Sequence, residues 1–148
     1  AGASSSGQIG EIESSYGHLI KNIAIQSLKK KPLISIYGND YATKDGTCIR
    51  DYIHVMDLAE GHIAMIKKNR LKKGLKVYNF GTGKGKSVLE VIRAFERQTG
   101  ISIPFKFIKR REGDIASSFC NPKKALKELN WKSKFSLNQA IMDIKKII

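Results

Sequence analysis

Apolar residues recur at helical spacing in Leu19, Ile20, Ile23, Ala24 and Leu28, which predicts a helix from about 18 to 29. Pro32 marks its exit, and Leu33-Ile34-Ser35-Ile36-Tyr37 reads as a short strand. Polar positions from Gly38 to Gly46 form a loop, and a second strand is expected near 48–53. Asp57 with Glu60 has the spacing of a helix capping box, and Leu75 to Phe80 reads as another strand. Ser87 and Glu90 repeat the capping box, with Val88, Val91, Ile92 and Phe95 lining one face as far as Gly100. Ile103 to Ile108 alternates as a strand does. Asn121-Pro122 is a helix start, a cap followed by proline at the first helical position, and Ser136 with Gln139 caps the last helix. Helices and strands alternate without an internal repeat, so the expected class is α/β.

At 148 residues, 41% of them hydrophobic, the chain can build the core of one compact domain. No apolar run is long enough to span a bilayer. Ala1 to Gly7 lacks the basic start and apolar stretch of a secretory signal, and the absence of methionine at position 1 fits a truncated or processed chain. Cys48 and Cys120 form no close pair and have no metal-ligand companions, so free thiols in the cytoplasm are expected. A net charge of +14 raises a nucleic-acid reading. Against it, the basic clusters at 29–31, 67–68, 72–73, 109–111, 123–124 and 145–146 fall on different segments, and no aromatic residues interleave with them. The expectation is a lysine-rich solvated surface that favours anionic ligands, with neither nucleic acid nor membrane as partner.

Several motifs fail on inspection. Gly81-Thr82-Gly83-Lys84-Gly85-Lys86-Ser87 sits between a strand and a helix, but a phosphate loop needs glycine where Phe80 stands. A dinucleotide fingerprint starting at Gly81 needs glycine where Lys86 stands, and one starting at Gly7 and Gly10 meets Glu13. Turn chemistry is the better account of these glycines. The tyrosines at 16, 37, 41, 52 and 78 are followed four residues later by Ile20, Tyr41, Asp45, Met56 and Thr82, so no Tyr-x-x-x-Lys pair exists. His18, His54 and His62 lack partners at the spacing of a Ser-His-Asp or zinc site.

Four blocks carry a family resemblance: Ser35-Ile36-Tyr37-Gly38-Asn39-Asp40-Tyr41; the run from Asp45-Gly46-Thr47-Cys48-Ile49-Arg50-Asp51-Tyr52-Ile53-His54 to Ala59; Tyr78-Asn79-Phe80-Gly81-Thr82-Gly83; and Arg110-Arg111-Glu112-Gly113-Asp114. Together they resemble the UDP-glucose 4-epimerases of the extended short-chain dehydrogenase/reductase family. The resemblance implies the C-terminal portion of a Rossmann-type enzyme: a small mixed substrate-binding domain over 1–148, with 57–86 completing a Rossmann sheet whose upstream part is missing. It implies an NAD-dependent isomerase interconverting UDP-glucose and UDP-galactose, with UDP-N-acetylhexosamines as further substrates. NAD and the catalytic residues would belong to the N-terminal half, so this chain alone is expected to be inactive. The resemblance also allows a homodimer of the full enzyme. Without the upstream half, a strand edge and a helix face would stand uncovered, so self-association is expected.

What a UDP-sugar needs can be matched residue by residue through the resemblance. Arg50 and Arg111 stand where the family places the arginines that grip the diphosphate, a task suited to a planar fork. Tyr37 matches the aromatic against the uracil, Ser35 a neighbour whose backbone reads the base edge, and Asp114 the carboxylate that takes the ribose diol. His18 and Leu19 match the start of a helix whose N–H groups approach the phosphates. The lead-in Ile12 to Gly17 and the following Lys21 depart from the family's proline-containing pattern. Ser118 falls where the family varies the residue gating the sugar pocket, and its small side chain leaves room for an N-acetyl group.

Asp51, Tyr52, His54 and Asp57 are expected to hold structure, Asp57 as a cap, and Trp131 to pack between the last two helices. Two other readings stand beside the epimerase: a noncatalytic UDP-sugar-binding module and, less favoured, a basic nucleic-acid-binding protein.

Overall fold

A computed structural model describes residues 1–9, 18–70 and 73–147. The lead-in at 12–17, and with it Tyr16, Gly10 and Glu13, lies outside the described residues. Along the described chain the elements run α1 (Leu19–Ser27), β1 (Ile34–Tyr37), β2 (Ile49–Asp51), α2 (Val55–Asn69), β3 (Gly85–Ser87), α3 (Val88–Thr99), β4 (Phe105–Ile108), β5 (Ser117–Ser118), α4 (Lys123–Leu129) and α5 (Leu137–Lys145). The expected α/β class is the observed one.

The core lies where α1, α3 and α5 meet β1. Each helix turns one apolar stripe inward: Ile20, Ile23 and Ala24 from α1, Val91, Ile92 and Phe95 from α3, Ile141 and Ile144 from α5. Ile34 and Ile36 close the cluster from β1. Burying each large side chain contributes roughly 1.5–3 kcal/mol. The capping box at Ser87 and Glu90 forms as the spacing predicts, and α3 ends at left-handed Gly100. Ser136 caps α5 by accepting the Gln139 N–H, and Asn121 accepts the Lys123 N–H at the start of α4.

Two small sheets position the loops. β1 pairs with β4 in parallel, while β2 lies between antiparallel β3 and parallel β5.

The structure differs from the sequence expectations at four places. α2 begins at Val55, and its cap is His54, whose Nδ1 accepts the Met56 N–H. Asp57 is instead fully buried inside that helix, where its carboxylate accepts the backbone N–H groups of Lys134 and Phe135. Trp131 donates its indole N–H to the Asp57 carbonyl and packs edge-on against Phe80, so it ties the α4–α5 link to α2. The 75–80 segment pairs with no strand among the described residues, and Leu75 and Val77 are 90% and 62% exposed. Its apolar side chains lack the neighbour that would make it a strand. Conversely, Gly85–Ser87 pairs with β2 although glycine and lysine carry no strand signal.

Candidate functional site

The parallel ladder fixes which way the backbone of β1 faces. Ile34 N–H donates to Pro104 O at 2.9 Å and Gly38 N–H to Ile108 O at 2.8 Å. In a parallel pair alternate residues address the same neighbour, so Ile34, Ile36 and Gly38 face β4. The N–H and C=O groups of Ser35 and Tyr37 therefore point to the opposite edge of β1, which no described strand covers. Their side chains alternate with buried Ile34 and Ile36 and are exposed, Tyr37 by 41%.

Arg111 lies over the Tyr37 ring, its guanidinium carbon 4.7 Å from the centroid. The same guanidinium donates Nε to Asp114 Oδ2 at 3.0 Å and Nη2 to Oδ1 at 3.4 Å. Arg50, reaching in from β2, donates Nη2 to Asp114 Oδ1 at 3.4 Å. Its Nη1 is held by the carbonyls of Ile49 and Ile115 at 2.8 and 2.9 Å. One carboxylate, 17% exposed, thus sits between two arginines 61 positions apart in sequence (111 less 50).

Ser118 stands opposite Arg50 in the β2–β5 register. Both line a cleft of about 410 Å³ together with Asp51, Asn79, Phe119 and Cys120. Sequence reasoning singled out Arg50 and Ser118 but not the other four as a wall of one space. Asn79 lies inside a resemblance block, whereas Phe119 and Cys120 follow a strand too short to give a period-2 signal.

His18 occupies the N-cap position of α1, with φ −68° and ψ 148°, and its side chain makes no capping hydrogen bond. Leu19 packs against the core from the first helical turn. Tyr37, Arg50, Arg111 and Asp114 are joined directly and Ser118 by strand pairing, while His18 and Leu19 belong to a separate element.

The glycine-rich loop is built around a carboxylate. Asp51 Oδ1 accepts the Thr82 N–H and Oδ2 the Gly83 N–H, both at 3.0 Å. A side chain at Gly81 would run into the Cys120 sulfur and that carboxylate. The donors that would cradle a dinucleotide pyrophosphate are already committed, so this loop does not fit NAD. Burial, then the Asp51 charge, pushes the neighbouring Cys120 thiol up.

Nor do the shifted phenols suit proton abstraction. Burial pushes Tyr52 up to about 12 against the pull of Arg50. Tyr41 is raised by burial and by its contact with Cys48, and Tyr78 by its hydrogen bond to Glu128. A catalytic tyrosine needs the opposite shift. Both cysteines are free, no helix is long and apolar enough to cross a membrane, and no cluster of three metal-ligating side chains occurs among the described residues.

A family model described as GDP-mannose 4,6 dehydratase matches residues 9–144. The UDP-glucose 4-epimerase of Bos taurus is 43% identical over 144 residues, covering 97% of this chain and 41% of that protein. The Bacillus subtilis (strain 168) enzyme is 46% identical over 143 residues, covering 96% and 42%. The structure of the Stenotrophomonas maltophila UDP-glucose 4-epimerase, with bound NAD and formylated UDP-arabinopyranose, superposes with a TM-score of 0.93 at 41% identity, over 99% of this chain and 44% of that one. The Bifidobacterium longum enzyme in complex with NAD+ and UDP gives 0.91 at 42% identity, over 99% and 44%. The chain therefore spans about two fifths of the length of the curated relatives it matches. By the match through residues 9–144 the chain belongs to the GDP-mannose 4,6 dehydratase family, and along nearly all its length it is similar to UDP-glucose 4-epimerases, enzymes of the Rossmann-type short-chain dehydrogenase/reductase fold.

Proposed function

We propose that these residues form the substrate-binding part of an NAD-dependent UDP-glucose 4-epimerase, interconverting UDP-glucose and UDP-galactose in the cytoplasm. The observation that carries the reading is the continuous strip Tyr37–Arg111–Asp114–Arg50, which runs on to the cleft at Ser118. The strip gathers, within one run of contacts, a partner for each part of a UDP-sugar: base, ribose, diphosphate and hexose. Uracil offers donor and acceptor groups along one edge, and the unpaired N–H and C=O groups of Ser35 and Tyr37 can meet part of that edge while the Tyr37 ring takes the base face. Arg111 and Arg50 supply fixed cations for the diphosphate, and Asp114 keeps acceptor capacity for a ribose hydroxyl. The N–H groups at the start of α1, after His18 and Leu19, add a further anion-attracting end. Space beside Ser118 accommodates an N-acetyl group on the sugar.

Oxidising and re-reducing the sugar carbon is the chemistry NAD supplies when bound. This chain's part is to hold and orient the nucleotide; neither a proton acceptor nor an NAD cradle is built from its described residues. Alone it is therefore inactive and acts with an NAD-binding partner half. Exposed Ile63, Ile66, Leu75 and Val77 on α2 and the following segment support a face covered by that half, with residues 57–86 completing its sheet. Dimerisation of the whole enzyme is part of the same reading.

Calorimetric titration of the folded chain with UDP tests the proposal. Saturable binding that disappears in Arg111→Ala is the expected result, with no epimerisation when NAD and UDP-galactose are supplied. A folded chain that ignores UDP overturns the binding role.

A further inference from the structure

We infer that Lys106 is a nucleotide-binding residue of this chain, its ammonium donating to a carbonyl oxygen of the pyrimidine base. The inference rests on the reading above that the base lies on β1 against Tyr37.

Register is the first argument. Lys106 in β4 stands directly opposite Ser35 in β1, and Ile108 opposite Tyr37. Side-by-side residues of paired strands share a face, and the strands lie about 4.8 Å apart. Lys106 is thus on the exposed face with Ser35 and Tyr37, while Phe105 and Phe107 fall on the other face and pack edge-to-face against each other.

Charge is the second. Arg50 and Arg111 share the Asp114 carboxylate, and Arg110 is bound to Asp40 at 2.7 Å. Lys106 is exposed and, among the described ion pairs and hydrogen bonds, holds no acceptor. A ligand need not take this cation from a carboxylate.

Chemistry is the third. A base read edge-on by one strand presents three polar groups in a row, and the backbone of Ser35 and Tyr37 cannot serve all of them from one side. A carbonyl left over needs a donor from above the sheet. The flexible four-carbon stem of lysine reaches across one strand spacing to supply it. A strand position also fixes the origin of that stem better than a loop would.

The test separates base reading from general attraction to phosphate. The full chain, its Lys106→Met variant and a Lys109→Met control are titrated with UDP and with inorganic pyrophosphate. The expected result is UDP binding about three- to tenfold weaker in Lys106→Met, with pyrophosphate binding unchanged and Lys109→Met like the parent. An equal loss for both ligands, or no loss for either, overturns the assignment while leaving the UDP site standing. A parent chain that binds pyrophosphate but not UDP overturns the placement of the base itself. Circular dichroism of the variants shows that methionine has not disturbed the fold.

Discussion

The Asp51 carboxylate accepts the backbone N–H of Gly83 at 3.0 Å from 32 positions away. With the Thr82 N–H and hydroxyl on its other oxygen, Asp51 takes over the role that a bound anion has in a true phosphate loop. Asp51→Ala would leave two part-buried N–H groups without their acceptor, which costs on the order of 2–4 kcal/mol. Asp51→Asn keeps one acceptor oxygen and should cost less. Urea unfolding followed by circular dichroism measures both, and a shift in Asp51→Ala of a few tenths of a kcal/mol would show that solvent replaces the carboxylate.

Arg111 combines two jobs that a lysine cannot share between them: a two-nitrogen grip on Asp114 and a flat contact with Tyr37. Arg111→Lys keeps the charge but loses both. UDP affinity is expected to fall about tenfold or more, with little change in unfolding midpoint because the side chain is 60% exposed. Calorimetry on the variant decides it. An affinity within twofold of the parent would mean that charge alone matters at this position.

Short-range features were legible in the sequence because both partners lie within one turn of helix. Ser87 with Glu90 and Ser136 with Gln139 are of this kind. Asp57 shows the limit: its spacing to Glu60 is that of a cap, but its partners Lys134 and Phe135 are 77 and 78 residues away. The acceptor of the glycine-loop N–H groups was hidden for the same reason. In the candidate site, no periodicity brings Arg50 to Asp114, and only family resemblance put them together. The open edge of β1 is a property of register, which a single strand's sequence does not contain.

Acid should loosen this fold in two stages. His54 is fully buried, stacks on Phe135 at 4.5 Å and faces Asp143 at 3.4 Å. Burial holds its imidazole below the ordinary 6.5, outweighing the pull of Asp143. The unfolded chain therefore takes up this proton at a higher pH than the folded one, and stability present above 6.5 is lost as pH falls through the folded value. Asp45 and Asp143 come later. Burial alone would raise both carboxyls, but hydrogen bonds from Ser87 and Thr47 to Asp45, and from Lys146 and Gln139 to Asp143, hold them below 3.8. Their share is whole above 3.8 and disappears beneath it. Urea midpoints across pH 3 to 8 should show both declines, and His54→Asn should remove the upper one. A midpoint flat between pH 7 and 5 would mean that the folded and unfolded chains take up the His54 proton alike.

Ser118 offers the most direct test of how the cleft chooses its sugar. The residue is exposed, lies opposite Arg50, and borders the 410 Å³ space with Asn79, Phe119 and Cys120. A tyrosine there would add an aromatic ring to one wall and take room from a substituent on the hexose while leaving Tyr37, Arg111 and Asp114 untouched. Ser118→Tyr should therefore bind UDP and UDP-glucose much as the parent does and lose about tenfold or more for UDP-N-acetylglucosamine, the usual penalty when a pocket is overfilled. Titrating the three ligands against both proteins separates the explanations. Equal weakening for all three would mean that the new ring disturbs Arg50 and the diphosphate, and unchanged binding of the N-acetylated sugar would mean that the acetyl group lies outside this cleft.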